Sequence, residues 1–171
     1  MKIISQNFKL LAVFLLAITF TSCSDDDDNG TTTPTTVVDI ALANNLTSLA
    51  AALQATDLVT TLQGDGPFTV FAPTNAAFAD LLAATGLDLD NLSTTEEDLV
   101  RNILLNHVII GETINSTALV TAGSGYASTG ATGPNGENLS LYFNTTSGVV
   151  LNGVSTVDNA DNMASNGIVH I

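Results

Sequence analysis

Basic residues are nearly absent from this chain of 171 residues: three lysines and arginines stand against 17 aspartates and glutamates, a formal charge of −14. Nucleic-acid affinity comes largely from neutralising several phosphates with cations, so nucleic acid is excluded as a partner, and so is polybasic attachment to anionic lipid. A single cysteine rules out an internal disulfide. With only two histidines beside it, a zinc site of nitrogen and sulfur ligands has too few donors. Tryptophan is missing and tyrosine occurs twice, so any aromatic contact surface is small. What remains is not a disordered polyelectrolyte, because charged residues make up only 12% and apolar residues 45%. The length suits one domain with its own core.

Two of the three cations, Lys2 and Lys9, precede the eleven-residue run Leu10 to Phe20. A positive start followed by a short apolar stretch reads as a signal peptide over residues 1–22, since a spanning helix needs about 20 apolar residues. The run ends in Phe20-Thr21-Ser22-Cys23, which resembles the lipobox of bacterial lipoproteins and implies acylation of Cys23. Ser24 with Asp25, Asp26, Asp27 and Asp28 resembles the acidic export tag of Bacteroidetes-type lipoproteins; the same charges also suit a solvated, self-repelling spacer. Residues 23–36 contain no large apolar side chain and read as a tether, with residues 24–36 reaching at most about 43 Å. The expected location is the outer membrane, lipid-anchored and facing the cell exterior, with the periplasmic face as the alternative.

Residues 37–171 carry 13 acidic side chains against Arg101. From Val37 to Leu62 apolar residues recur at spacings of three and four, with Thr36, Thr47 and Asp57 placed to cap short helices. Phe68 to Ala72 reads as a strand stopped by Pro73, and Thr74 or Asn75 can cap a helix from Ala76 to Thr85 closed by Gly86. Thr94 and Glu97 have the spacing of a capping box for a helix whose apolar face includes Leu99, Val100, Ile103, Leu104 and His107. His107 to Ile110 turns to strand, and Gly123 to Gly136 reads as a loop or weak edge hairpin. Leu139, Leu141 and Phe143 alternate with polar residues and pair with Val149 to Leu151 across Ser147-Gly148. Val154 to Val157 and Ile168 to Ile171 are further strands, and the whole reads as an α+β domain with its N-terminal half mainly helical.

Three segments together resemble the fasciclin-like (FAS1) family over nearly all of residues 37–171. Gly66 to Phe78 (GPFTVFAPTNAAF) is similar to its first signature block, Leu104 to Ile109 (LLNHVI) to its central motif, and Ala164 to Ile171 (ASNGIVHI) to its second block. The resemblance implies a compact wedge of strands with helices packed against it and a role in cell adhesion or extracellular attachment. It assigns structural roles to Phe68, Phe71, Pro73, Thr74, Asn75, Phe78, His107, Asn166, Gly167 and His170. Integrin recognition in animal members is placed at a tyrosine-histidine pair; here the tyrosine position is Asn106, so that activity does not carry over. Family members commonly continue with an aspartate and one more apolar stretch, so the sequence reads as a fragment lacking a C-terminal strand.

Candidate sites are sparse. His107 and His170 read as corner-fixing residues that hydrogen-bond backbone. No nucleophile elbow or dinucleotide fingerprint occurs, so neither catalysis nor a cofactor is expected. Asp88-Leu89-Asp90 opens like a calcium loop but breaks at Leu92, which leaves Asp158 with Asp161 as a weak calcium pair. Tyr126, in the glycine-rich segment, is the expected ligand contact. The composition and the resemblance together point to a non-catalytic, lipid-anchored adhesion module for an unidentified protein or polysaccharide ligand; a surface or periplasmic glycan-binding accessory lipoprotein is the alternative.

Overall fold

The computed structural model describes residues 35–171. The signal run, Cys23, Ser24 and Asp25 to Asp28 lie outside the described residues. Three short helices come first, α1 (Val37–Ala43), α2 (Thr47–Ala55) and α3 (Leu58–Gln63). Thr36 caps α1 reciprocally: its hydroxyl accepts the Asp39 N–H, and the Asp39 carboxylate accepts the Thr36 N–H. Thr47 and Asp57 do not cap. Leu46 precedes α2 with no side-chain bond, and Asp57 sits before α3 with φ 55°, left-handed backbone that cannot present its carboxylate to the helix amides.

After strand β1 (Phe68–Phe71), helix α4 (Asn75–Thr85) starts under the Thr74 hydroxyl, which accepts the Ala77 N–H, and ends at Gly86 with φ 71°. Helix α5 (Thr94–Leu105) is capped one residue earlier than expected. The box is Ser93 with Glu96, because Ser93 is the last extended residue and Thr94 is already helical. Consequently Val100 and Leu104 are buried, while Leu99 is half exposed. Strand β2 (Val108–Ile110) follows, then helix α6 (Ser116–Ala122), which the periodicity did not announce; it is capped by Asn115 and closed at Gly123. Seven residues in a Ser/Thr-rich stretch carry too little apolar pattern to stand out.

The remaining strands are β3 (Ser124–Thr132), β4 (Asn138–Asn144), β5 (Val150–Leu151), β6 (Ser155–Thr156), β7 (Asn162–Ala164) and β8 (Gly167–His170). Of the two readings of Gly123 to Gly136, loop or weak edge hairpin, the second holds: the segment is mostly β3, the edge strand of its sheet, paired with β4 from Ser124↔Asn144 to Thr132↔Asn138 with an irregularity between. Its glycines make room for neighbours: a Cβ on Gly130 would stand 2.8 Å from Ile110 Cδ1, and one on Gly125 3.2 Å from the Phe143 ring. Glycine there is a packing requirement rather than a sign of disorder.

One sheet has the order β2-β1-β8-β7, the other β3-β4-β5-β6. β1 runs antiparallel to β2 but parallel to β8, the last strand, in a register that sets Phe68 opposite Gly167 and Phe71 opposite His170. Both central strands are buried along their length. Phe68, Val70 and Val169 join Val37, Leu53, Leu62, Phe78 and Leu104 in one core under the helices. Phe71 and Ile109 join Leu119, Leu141, Phe143 and Leu151 in a second core against the other sheet. The β1–β8 sheet is therefore the middle layer of three.

Glycine and asparagine fix how the two signature blocks meet. A Cβ on Gly167 would lie 2.2 Å from Phe68 O, and one on Gly66 1.9 Å from Asn166 O. Asn166 Oδ1 accepts the Val37 N–H at 2.9 Å, while its Nδ2 donates to Leu62 O and Gly64 O at 2.8 Å. One side chain thus ties the start of α1 and the end of α3 to the turn before β8. Asn166→Ala strands three backbone groups and is expected to cost about 2–3 kcal/mol, a Tm fall of about 4–10 °C in thermal denaturation. Gly167→Ala falls at least as far, whereas Ser165→Ala, on the exposed side of the same turn, stays within about 2 °C. Equal shifts for Asn166→Ala and Ser165→Ala would contradict the clamp.

Candidate functional site

The signature residues spend their polar atoms inside the domain. Asn75 is not the α4 cap; it bridges to α2, its Oδ1 accepting the Ser48 N–H at 3.0 Å and its Nδ2 donating to Asn45 O at 2.9 Å. Thr69, fully buried, donates to Glu112 O and accepts the Ile114 N–H, both at 2.8 Å. His107 Nδ1 lies 2.8 Å from Ile103 O. Asn106, at the position of the animal tyrosine, accepts the Thr129 hydroxyl at 3.1 Å and fastens α5 to β3. Phe68, Phe71 and Phe78 are core side chains.

His170 is 1% exposed and stacks on Phe71 with centroids 5.3 Å apart. Its Nδ1 accepts the Asp161 backbone N–H at 3.2 Å, so the proton sits on Nε2, which donates to Ile114 O at 2.8 Å. Ser116 and Asp161 complete a serine, histidine and aspartate cluster, but its connections are wrong for catalysis. The Ser116 hydroxyl donates to Asp161, not to the imidazole, and both ring nitrogens are engaged by backbone. Burial pushes the Asp161 carboxyl up, yet the Ser116 hydroxyl and N–H that donate to it, with the His170 ring 3.9 Å away, outweigh this and hold it below the usual carboxylate range. The two members of the expected calcium pair have separate hydrogen-bond partners. Asp161 is occupied by Ser116, Asp158 meets the Thr156 hydroxyl at 3.5 Å, and no group of three metal-competent side chains occurs among the described residues.

A groove of about 360 Å³ lies between the end of β1 and the β5–β6 hairpin, walled by Pro73, Leu151, Val154 and Val157 with Asp158 at its edge. His107 and His170 also line it, and no hydrogen bond between described residues along it joins a hydroxyl to an imidazole.

The outward face of the β3–β4 pair is different in kind. Ser124, Tyr126 and Ser128 on β3 stand opposite Asn144, Tyr142 and Ser140 on β4. Tyr126 is 75% exposed, and Tyr142 lies half-buried beside it with ring centroids 5.2 Å apart and planes inclined by 52°. Tyr126 is thus on a strand rather than in a loop, held by a ladder that fixes its position. Its pairing with Tyr142 was legible in principle, since the inward alternation of Leu141 and Phe143 turns Tyr142 outward.

The Fasciclin domain family profile matches residues 44–171. The chain belongs to the fasciclin domain family. Protein sll1483 of Synechocystis sp. is 39% identical over 137 residues, covering 80% of this chain and 69% of that protein. Cell surface glycolipoprotein MPB83 of Mycobacterium bovis is 46% identical over 82 residues, 44% of this chain and 35% of that protein. The FAS1 domain pair of the insect cell adhesion molecule Fasciclin I superposes with a TM-score of 0.59 at 17% identity, over 80% of this chain and 48% of that one. The α+β fold expected from the motifs is that of the fasciclin domain, and no helix among the described residues is long and apolar enough to cross a membrane.

The Asp161 contacts have a pH consequence. A carboxyl held below its usual 3.8 in the folded domain contributes stability that is complete well above that value and is lost as pH falls through the folded value. Asp161→Asn tolerates the same left-handed backbone, φ 62°, but cannot titrate. Urea unfolding at pH 7 and at about pH 3 is expected to show a smaller acid-induced loss in Asp161→Asn than in the parent; an identical loss would mean the contact does not hold the carboxylate.

Proposed function

We propose that this protein is a non-catalytic attachment module of the bacterial surface, lipid-anchored at Cys23 and displayed on the residue 24–36 tether. Adhesion is the role the family resemblance implies, and a relative named a cell surface glycolipoprotein supports the surface location and the anchor. The acidic tag Ser24 and Asp25 to Asp28 directs it to the outer face of the outer membrane in the manner of Bacteroidetes-type lipoproteins. Dual or triple acylation holds such a protein stably, where a single chain is marginal.

The observation that carries the assignment is the Tyr126–Tyr142 face. Most of the family-signature side chains are committed to core packing or internal hydrogen bonds, whereas Tyr126 stands three-quarters exposed on a paired strand with the half-buried Tyr142 ring beside it. Exposed tyrosines on a rigid strand supply contact area at low entropic cost, and a −14 chain with 13 acids in its folded part resists non-specific sticking to anionic surfaces.

Cells displaying the parent protein are expected to attach to polysaccharide- or matrix-coated wells more than cells lacking it, and cells displaying Tyr126→Ala to attach no better than the latter. Protease treatment of intact cells should release the domain, and alanine at Asp25 to Asp28 should protect it. Equal attachment with and without the protein would overturn the adhesion role, and protease resistance of the parent would place it on the periplasmic face.

A further inference from the structure

We propose that the Tyr126–Tyr142 face binds an uncharged polysaccharide, the inference resting on that face being the contact surface. The chemistry of the face selects this ligand class in three ways.

The first is the aromatic pair. The C–H faces of hexose rings are apolar and pack on aromatic rings, as other apolar groups do on the electron-rich face. Tyr126 offers the exposed ring on which a sugar can stack, and Tyr142, opposite it in the β3–β4 register with its centroid 5.2 Å away and its plane inclined by 52°, supports that ring and extends the aromatic surface. The second is the flanking set. Ser124 with Asn144 on one side and Ser128 with Ser140 on the other surround the rings with small hydroxyl and amide groups. Each hydroxyl both donates and accepts, which is what a polyhydroxylated ligand requires of its neighbours. Ser124, Ser128 and Ser140 are exposed, so their hydroxyls are open to a ligand seated on Tyr126.

The third is charge. None of the six side chains is ionisable near neutral pH, and Arg101, the only lysine or arginine among the described residues, is held on α5 by Glu97 at 2.8 Å and Asp98 at 3.2 Å. A sulfated or carboxylated polysaccharide would find no counter-ion and would face a domain with 13 acidic residues. A protein partner fits less well. Protein interfaces concentrate their energy in apolar anchors seated in desolvated pockets, whereas the rim of this face is serine and asparagine.

The test is affinity electrophoresis of the full chain, purified in detergent, through native gels cast with hydroxyethyl cellulose, galactomannan, yeast mannan or hyaluronan. At least one of the three neutral polymers is expected to retard the protein, and hyaluronan is not. Tyr126→Ala is expected to weaken that retardation about tenfold, the equivalent of one lost stacking contact, and Tyr142→Ala to weaken it as well. Tyr126→Phe, which keeps the ring, stays within about threefold. Matching circular dichroism and Tm for the variants show that the domain is intact.

Passage of the parent through all three neutral gels without retardation would overturn the proposal, as would equal retardation of parent and Tyr126→Ala, or retardation by hyaluronan as strong as by any neutral polymer. If the neutral polymers fail but Tyr126→Ala still abolishes cell attachment, the polysaccharide inference falls and the contact face stands. If Tyr126→Ala changes neither measurement, both fall.

Discussion

Phe68 to Phe71 and Gly167 to His170 lie far apart in the sequence, yet they pair in parallel at the centre of the middle layer. The rest of the domain is arranged around that pairing. Parallel neighbours need a long crossover, and here the crossover contains most of the domain: α4, α5, β2, α6 and the whole second sheet are strung between the two strands. The two strands also carry both cores, with Val70 and Val169 on the helix side and Phe71 on the sheet side. Side chains cannot enter where the strands begin, because Gly66 and Gly167 stand within van der Waals reach of Asn166 and Phe68 backbone. Stability therefore depends on one junction of high sequence separation, closed late and at the cost of a long loop.

That dependence explains a division of labour. The strings that identify the family are long because a strand must turn into a capped helix at Pro73 and Thr74, and because Asn166 and His170 must each meet backbone from distant elements. Asn166 and His170 spend both ends of their side chains on backbone within the domain. In the proposed function, recognition falls to surface that the junction supports without using, and the β3–β4 pair meets that description. Its inner face supplies Leu141 and Phe143 to the second core, and its outer face presents Tyr126 to water beside the half-buried Tyr142. The near absence of cations then acts as a filter on what can be met there, turning a compositional oddity into a constraint on partners.

Much of the fold was legible. Alternating apolar residues gave the β4–β5 hairpin, and proline and glycine punctuation gave β1 and α4 to within a residue. What escaped was decided by non-local packing or by backbone dihedrals. The capping box moved from Thr94 to Ser93 because two residues with equivalent chemistry sat side by side, and only the backbone could choose between them. Gly125 and Gly130 left loop and weak edge hairpin as alternatives, since their reason for being glycine lies in Phe143 and Ile110 across the packing. The parallel β1–β8 register has no local signature at all. At the contact face, Tyr126 was identifiable as an uncommitted aromatic, but its platform required knowing that β3 pairs with β4.

Native-state hydrogen exchange tests the central dependence most directly. The Phe68 N–H, bonded to Asn166 O at 3.0 Å, and the Ala72 N–H, bonded to His170 O at 2.7 Å, close the two ends of the junction. If the domain depends on it, these amides exchange only through global unfolding, with the slowest rates in the molecule and the denaturant dependence of the whole transition. Exchange of Phe68 and Ala72 by local opening, while amides of α1, α2 and β4 stay protected, would contradict it.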